Sequence, residues 1–272
     1  MKNIKIVFKK LNNLKGGVSM DAVLKVLREF DRLQDNEDFP TLEFVEKSLA
    51  EYGYLNLVIF VCPKMRGKYL SSDQRELFMP TEEPKDGLFF PRVPKLQQLT
   101  TKLWELGIPS KLTIIVGDNS YEVFKAPVLG NELNKEIMNE RRKAYVSSLN
   151  QQLSKMFPQL MEICSLGLMG SGTYQGKMEI PQDMLLREAE FQRESLQKYY
   201  GIAEPKDSDL LKIAELMLRA YAEEGYLIEA TEGILLATEG TEQTESWVRR
   251  IQMFKLGDAK FPCIYPYIRK ES

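Results

Sequence analysis

Leu55-Asn56-Leu57-Val58-Ile59-Phe60-Val61-Cys62-Pro63 and, further on, Leu112-Thr113-Ile114-Ile115-Val116-Gly117-Asp118-Asn119 decide how this chain is read. Both runs are apolar and rich in β-branched residues, without the alternation of a half-exposed strand. That is the composition of strands buried on both faces. Between them Leu96, Leu99, Leu103 and Leu106 recur at helical spacing. Two buried strands joined by a helix form a crossover unit, which makes the strands parallel. Open sheets of this kind place ligands beyond the carboxyl ends of their strands. The candidate site therefore falls on Pro63–Lys68 and Gly117–Asn119.

Outward from this unit the pattern continues. Upstream, Ile4–Phe8 is apolar and short, open to either a strand or a helix. Ser19 is placed to cap a helix carrying Ala22, Val23, Val26, Leu27 and Phe30 on one face. Asn36 to Pro40 breaks it, and Thr41 caps a second helix with Leu42, Val45 and Leu49 apolar. Downstream of the first strand, Tyr69–Pro94 is a long, proline-rich loop, a length common in functional segments. Within it, Gly87–Pro91 has the makings of a short strand or lid. A helix is expected over Glu132–Phe157 and a strand over Met161–Leu168, followed by the glycine-rich Gly170–Gly176. Helices then follow Pro181 to Gly201 and Asp207 to about Tyr226, the latter capped by Ser208. Strands at Ile234–Thr238 and Phe261–Ile268 flank a helix near Glu242–Phe254. The expected fold is α/β: a Rossmann-like three-layer sandwich with a mostly parallel sheet. Residues 1–54 would be an N-terminal helical extension and 55–272 the Rossmann-like domain.

Composition excludes several chemistries. The 272 residues contain no histidine, which removes Ser-His-Asp and Cys-His mechanisms and histidine-bearing metal sites. Proton transfer falls to Glu, Asp, Lys, Tyr or Cys. Cys62, Cys164 and Cys263 are odd in number and widely spaced, so neither a disulfide framework nor a zinc site is indicated. No metal and no cofactor are expected. The net charge of −2 and pI near 5.6 give no global field for nucleic acid. No apolar run is long enough to span a bilayer, and a cytoplasmic protein without membrane partners is expected.

The chemistry-bearing residues divide into a few groups. Lys64, Arg66 and Lys68 beyond the first strand suit an anionic group, with a solvated loop as the alternative. Asp118 and Asn119 follow the second buried strand, where a carboxylate orients an amine or acts as a base, and where Gly-Asp-Asn also makes a good turn. Cys62 sits at a strand end beside cations that would lower its pKa, against the commoner role of a buried thiol. Gly170–Gly176, with Tyr174, is either a phosphate-binding loop or a plain connection. Arg141, Arg142 and Lys143 read as a solvated helix face that includes Glu140. Glu223, Glu224, Glu229, Glu232 and Glu239 include possible general bases, and of these Glu239 is placed at the end of a late strand.

The order of these segments resembles that of the isonitrile (isocyanide) synthases. The shared features are a strand ending in Pro63 with Lys68 five positions later, a proline-led helix at Val93-Pro94-Lys95-Leu96, and a strand ending in Gly117-Asp118-Asn119 before Val123-Phe124. A later helix carries Tyr145. The resemblance implies a metal-free transferase that acts on an amino acid with a sugar phosphate. In it Lys64, Arg66 and Lys68 hold the anionic co-substrate, Asp118 anchors the amine, and Tyr145 or Glu239 moves protons. The late strand, Ile234–Glu239, lacks the Arg and His of that family. A second resemblance is to the tRNA-dependent cyclodipeptide synthases, carried by Cys62-Pro63 and Tyr265-Pro266. It implies aminoacyl transfer from tRNA through Cys62. The third expectation is a non-catalytic ligand-binding or interaction protein on the same fold.

Overall fold

A computed structural model describes residues 19–33, 35–61, 63, 80–82, 89–119, 135–157, 160–169, 179–200, 204–239 and 261–268. Ile4–Phe8, Gly170–Gly176 and the helix expected near Glu242–Phe254 lie outside the described residues.

Five strands form one parallel sheet in the order β3-β2-β1-β4-β5. They are β1 (Leu55–Val61), β2 (Ser110–Val116), β3 (Leu160–Ser165), β4 (Ile234–Glu239) and β5 (Cys263–Ile268). This is the Rossmann-like order, in which the connection reverses direction between β1 and β4. The β1–β2 ladder is complete, from Leu55↔Ser110 to Val61↔Val116. The β1–β4 ladder covers only Leu57↔Ile234 and Val58↔Leu235. The central strands thus pair near their amino ends and leave the ladder toward their carboxyl ends.

Alternate residues of each strand serve different layers, as a pleat with period two requires. Leu55, Leu57, Ile59, Leu112, Ile114 and Ile234 enter a core with α1 (Met20–Phe30), α2 (Leu42–Tyr52), α3 (Val93–Glu105) and α4 (Lys135–Leu153). Val58, Phe60, Ile115, Leu235 and Cys263 enter a second core with the short α5 (Leu166–Met169), α6 (Gln182–Tyr200) and α7 (Asp207–Ala230). Both layers are apolar, which is why the strands show no polar face in sequence. The two N-terminal helices belong to the first core through Val23, Leu27, Phe30 and Val45, all buried.

Edge strand β5 is covered by the segment after α1. Arg32 N donates to Tyr265 O, Tyr265 N donates to Asp31 Oδ1, and Cys263 N donates to Asp38 O. Asn36 Nδ2 donates to both Cys263 O and Asp31 Oδ2. An edge satisfied in this way offers no template for a foreign strand.

Several local expectations change. Thr41 does cap α2, accepting from Phe44 N at 3.2 Å, but Leu42 is exposed rather than on the buried face. Ser19 holds the N-cap position of α1 without a side-chain cap bond. Ser208 lies inside α7, whose N-cap is Lys206, and α7 continues to Ala230 because its buried stripe runs on through Ile228. Phe89 is buried and Phe90–Arg92 is a turn of 3-10 helix, so that part of Gly87–Pro91 is not a strand. The third strand stops at Ser165, where Leu166–Met169 turns helical instead of extending to Leu168.

Candidate active site at the carboxyl ends of the strands

Gly117, Asp118 and Asn119 leave the carboxyl end of β2 next to β1, with Gly117 N donating to Val61 O at 2.9 Å. The two side chains that follow the glycine meet different elements. Asp118 meets α4, β3 and α5; Asn119 meets α7.

Asp118 is fully buried. Its Oδ2 accepts from the Ser165 hydroxyl at 2.5 Å and its Oδ1 from Gly167 N at 2.7 Å. Arg142, itself 1% exposed, places Nε 3.3 Å from Oδ2 and donates through Nη2 to the Asp118 carbonyl at 3.1 Å. Burial pushes the carboxyl above the usual carboxylate range, opposed by Ser165, Gly167 and Arg142 in that order. Ser165 Oγ also accepts from Leu168 N, which ends β3 and starts α5. Gly167 is required there, because a Cβ would lie 2.2 Å from Arg142 Nε. The node fastens β2, β3 and α4 together. Arg142 therefore departs from the solvated face expected for Arg141–Lys143, since helical spacing alone does not say which side of a polar helix meets a buried acid.

Asn119 is half-buried and lies against α7. Its Nδ2 donates to Ala220 O and to Glu223 Oε2, both at 3.4 Å. Its Oδ1 is buried and has no hydrogen-bond partner among the described residues. A buried acceptor left this way costs about 1–3 kcal/mol unless a donor arrives. The Glu223 carboxylate stands beside the same amide, on its Nδ2 side. Glu223 was one of five glutamates that the sequence offered as possible general bases, with nothing to set it apart from Glu224, Glu229 and Glu232.

Tyr145 lies fully buried on α4 in the first core, away from the layer that holds Asn119 and Glu223. Glu239 is the last residue of β4, across the switch point; its side chain lies outside the described residues. So do Cys62, Lys64, Arg66, Lys68 and Tyr174. Of the remaining thiols, Cys263 is buried, and burial pushes it well above the usual thiol range. Cys164 is raised by burial and by Glu162. Neither has the low-pKa surroundings of a reactive thiol. Among the described residues no group of acidic or sulfur ligands is placed to hold a metal ion, and no helix is long and apolar enough to cross a membrane.

No protein-family profile matches the sequence, and no curated protein matches it. Among solved structures, the chain is similar to a CDPS (cyclodipeptide synthase) from Fluoribacter dumoffii, at 14% identity and TM-score 0.46, over 74% of this chain and 83% of that one. It is also similar to the tyrosyl-tRNA synthetase from Archaeoglobus fulgidus complexed with L-tyrosine, at 12% identity and TM-score 0.36, over 90% of this chain and 64% of that one. Scores at this level decide neither family nor activity.

Proposed function

We propose that the protein is a transferase acting on an amino acid or a similar small amine, received between Asn119 and Glu223 at the carboxyl end of β2. The observation that carries this is the buried Oδ1 of Asn119, without a hydrogen-bond partner among the described residues, on an amide whose Nδ2 meets the Glu223 carboxylate. An ammonium group donates to both, and charge-assisted hydrogen bonds in a partly dry site are the strong kind. The location agrees, because the β1–β4 ladder is short where Rossmann-like sheets take ligands. Asp118, occupied by Ser165, Gly167 and Arg142, holds the loop in place rather than touching the amine. Lys64, Arg66 and Lys68, which follow β1 in sequence, take the anionic co-substrate; in an isonitrile-forming version this is a sugar phosphate. With no histidine in the chain, Glu223 or Glu239 moves protons.

A second reading keeps the same amine pocket and delivers the amino acid as an ester on tRNA. Cys62 directly follows the last residue of β1, the strand beside β2. Its thiolate would attack the ester carbonyl, forming a thioester as the tRNA hydroxyl leaves and takes up the proton.

Thermal shifts of the wild type against amino acids, pentose phosphates and total aminoacylated tRNA test both readings. A ligand at 100 times its dissociation constant stabilises the fold by about 2.7 kcal/mol. An amino acid is expected to give that shift, its 2-hydroxy analogue to give none, and Glu223→Gln and Asn119→Leu to weaken binding at least about tenfold. If hydroxy and amino acids bind alike, or both variants bind as the wild type does, the amine pocket is wrong. A response to aminoacylated tRNA that disappears in Cys62→Ala moves the conclusion to the second reading. If no amine-bearing ligand binds, the non-catalytic expectation takes its place.

A further inference from the structure

Gly117 opens the loop that carries Asn119, and its φ is not what requires a glycine there. The described glycines with positive φ are Gly53 and Gly107, and only such a φ penalises a side chain. What a side chain at 117 would meet is Phe60. A Cβ there would lie 2.0 Å from Cζ of the ring, 2.5 Å from Cε1 and 3.1 Å from Cε2. The tip of the ring is therefore seated on the bare face of the glycine, across the seam between β1 and β2.

That seat borders the proposed amine pocket. Phe60 is the last residue but one of β1 and pairs with Ile115. Its ring enters the second core, which also holds Leu218 and Tyr221 of α7. Asn119 meets the same helix at Ala220 and Glu223. Between Gly117 and Asn119 run two residues, at most about 7 Å of chain. Phe60 is only 8% exposed, and a ring in a close-packed interior yields little to a second body pressed against it.

We propose, resting on the reading of Asn119 and Glu223 as an amine pocket, that Phe60 sets the size limit of that pocket. The substrate is then an amino acid of the size of glycine or alanine, not one with a branched or aromatic side chain. The ring tip fills space between the ends of β1 and β2 and α7 that a larger body would need. A larger body has to displace a buried ring or stay clear of Asn119, and overfilling a packed site is unfavourable. Gly117 and Phe60 act as a pair: the missing side chain at 117 is what lets the ring reach so far.

Titration calorimetry of the full chain with glycine, alanine, leucine and phenylalanine reads the limit. The wild type is expected to bind alanine at least about tenfold more tightly than leucine or phenylalanine. Phe60→Leu removes the ring atoms that lie on Gly117 and keeps the position apolar. It is expected to bring leucine to within about threefold of alanine. Adding Gly117→Ala to Phe60→Leu returns a methyl to the vacated space and restores the wild-type preference. A merely structural role for the ring would weaken every amino acid alike and leave their order as it was. Should Phe60→Leu not fold, Phe60→Met is read in its place, with the same direction expected. Equal binding of alanine and phenylalanine by the wild type, or an order unchanged in the Phe60 variant, overturns the size limit and leaves the amine pocket standing. Binding of no amino acid by wild type or variant overturns the amine pocket and the size limit with it.

Discussion

Asp118 and Asp31 do the same job at the two ends of the sheet, and by different means. Each lies just past an element, β2 or α1, and each uses two carboxylate oxygens to gather chain segments distant in sequence. Asp31, itself half-buried, does so among the described residues with neutral donors: Leu33 N, Asn36 Nδ2 and Tyr265 N, at the edge strand β5. Asp118 is fully buried and includes a buried guanidinium among its partners. A tie at a wet edge is cheap to form and cheap to lose. One between buried charges is costly on both counts, because removing either partner strands the other without water. The expensive tie stands beside the proposed amine pocket, where a loop must hold its geometry. The cheap one fastens the edge strand β5.

The comparison breaks first at Arg142. Arg142→Ala is expected to cost about 3–5 kcal/mol, read as a fall in the urea midpoint. A loss no larger than that of Asp31→Ala would mean the buried charges are not the stronger fastening. Next comes Gly167→Ala, whose added methyl meets a guanidinium that Asp118 keeps from moving. Overpacking of this kind costs about 1–3 kcal/mol, and the double variant Gly167→Ala, Arg142→Ala is expected to lose less than the sum. Asp31→Ala should cost about 1–2 kcal/mol, since its donors regain water on unfolding and partly in the folded edge. Its more telling readout is concentration-dependent association through the uncovered β5 edge.

The smallest effect sharpens the comparison most. The folded-state value of Asp118 lies above the ordinary 3.8. The folded chain therefore binds this proton more tightly than the unfolded chain does. The stabilisation from that proton is full below the unfolded value and is lost as pH rises through the raised one. Urea midpoints of the wild type and Asp118→Asn, compared from pH 3 upward, should shift against the wild type over that window and then run level. A shift in favour of the wild type would mean that Arg142 outweighs burial.

The sheet was legible because buried parallel strands write their burial directly into composition: Leu57–Val61 and Leu112–Val116 are apolar at every position but Thr113. Even Thr113 fits, donating to Asn56 Oδ1 at 2.8 Å inside the second core. Asn119 was legible as a candidate from its place after a buried strand. Arg142 was not, since its neighbours Arg141 and Lys143 are equally basic and only the fold shows which one meets Asp118. Glu223 was hidden for the same reason among Glu224, Glu229 and Glu232.

The sequence by itself determined the α/β class, the buried strands, the crossover helix α3 and the exclusion of any chemistry that needs histidine. These follow from side-chain types and local periodicity, which act over a few residues. The tertiary structure alone decided that Asn119 finds Glu223 a hundred residues away and that Arg142 is spent on Asp118. Hydrogen bonds and charges act on distance in space, and the order of strands in the sheet sets that distance.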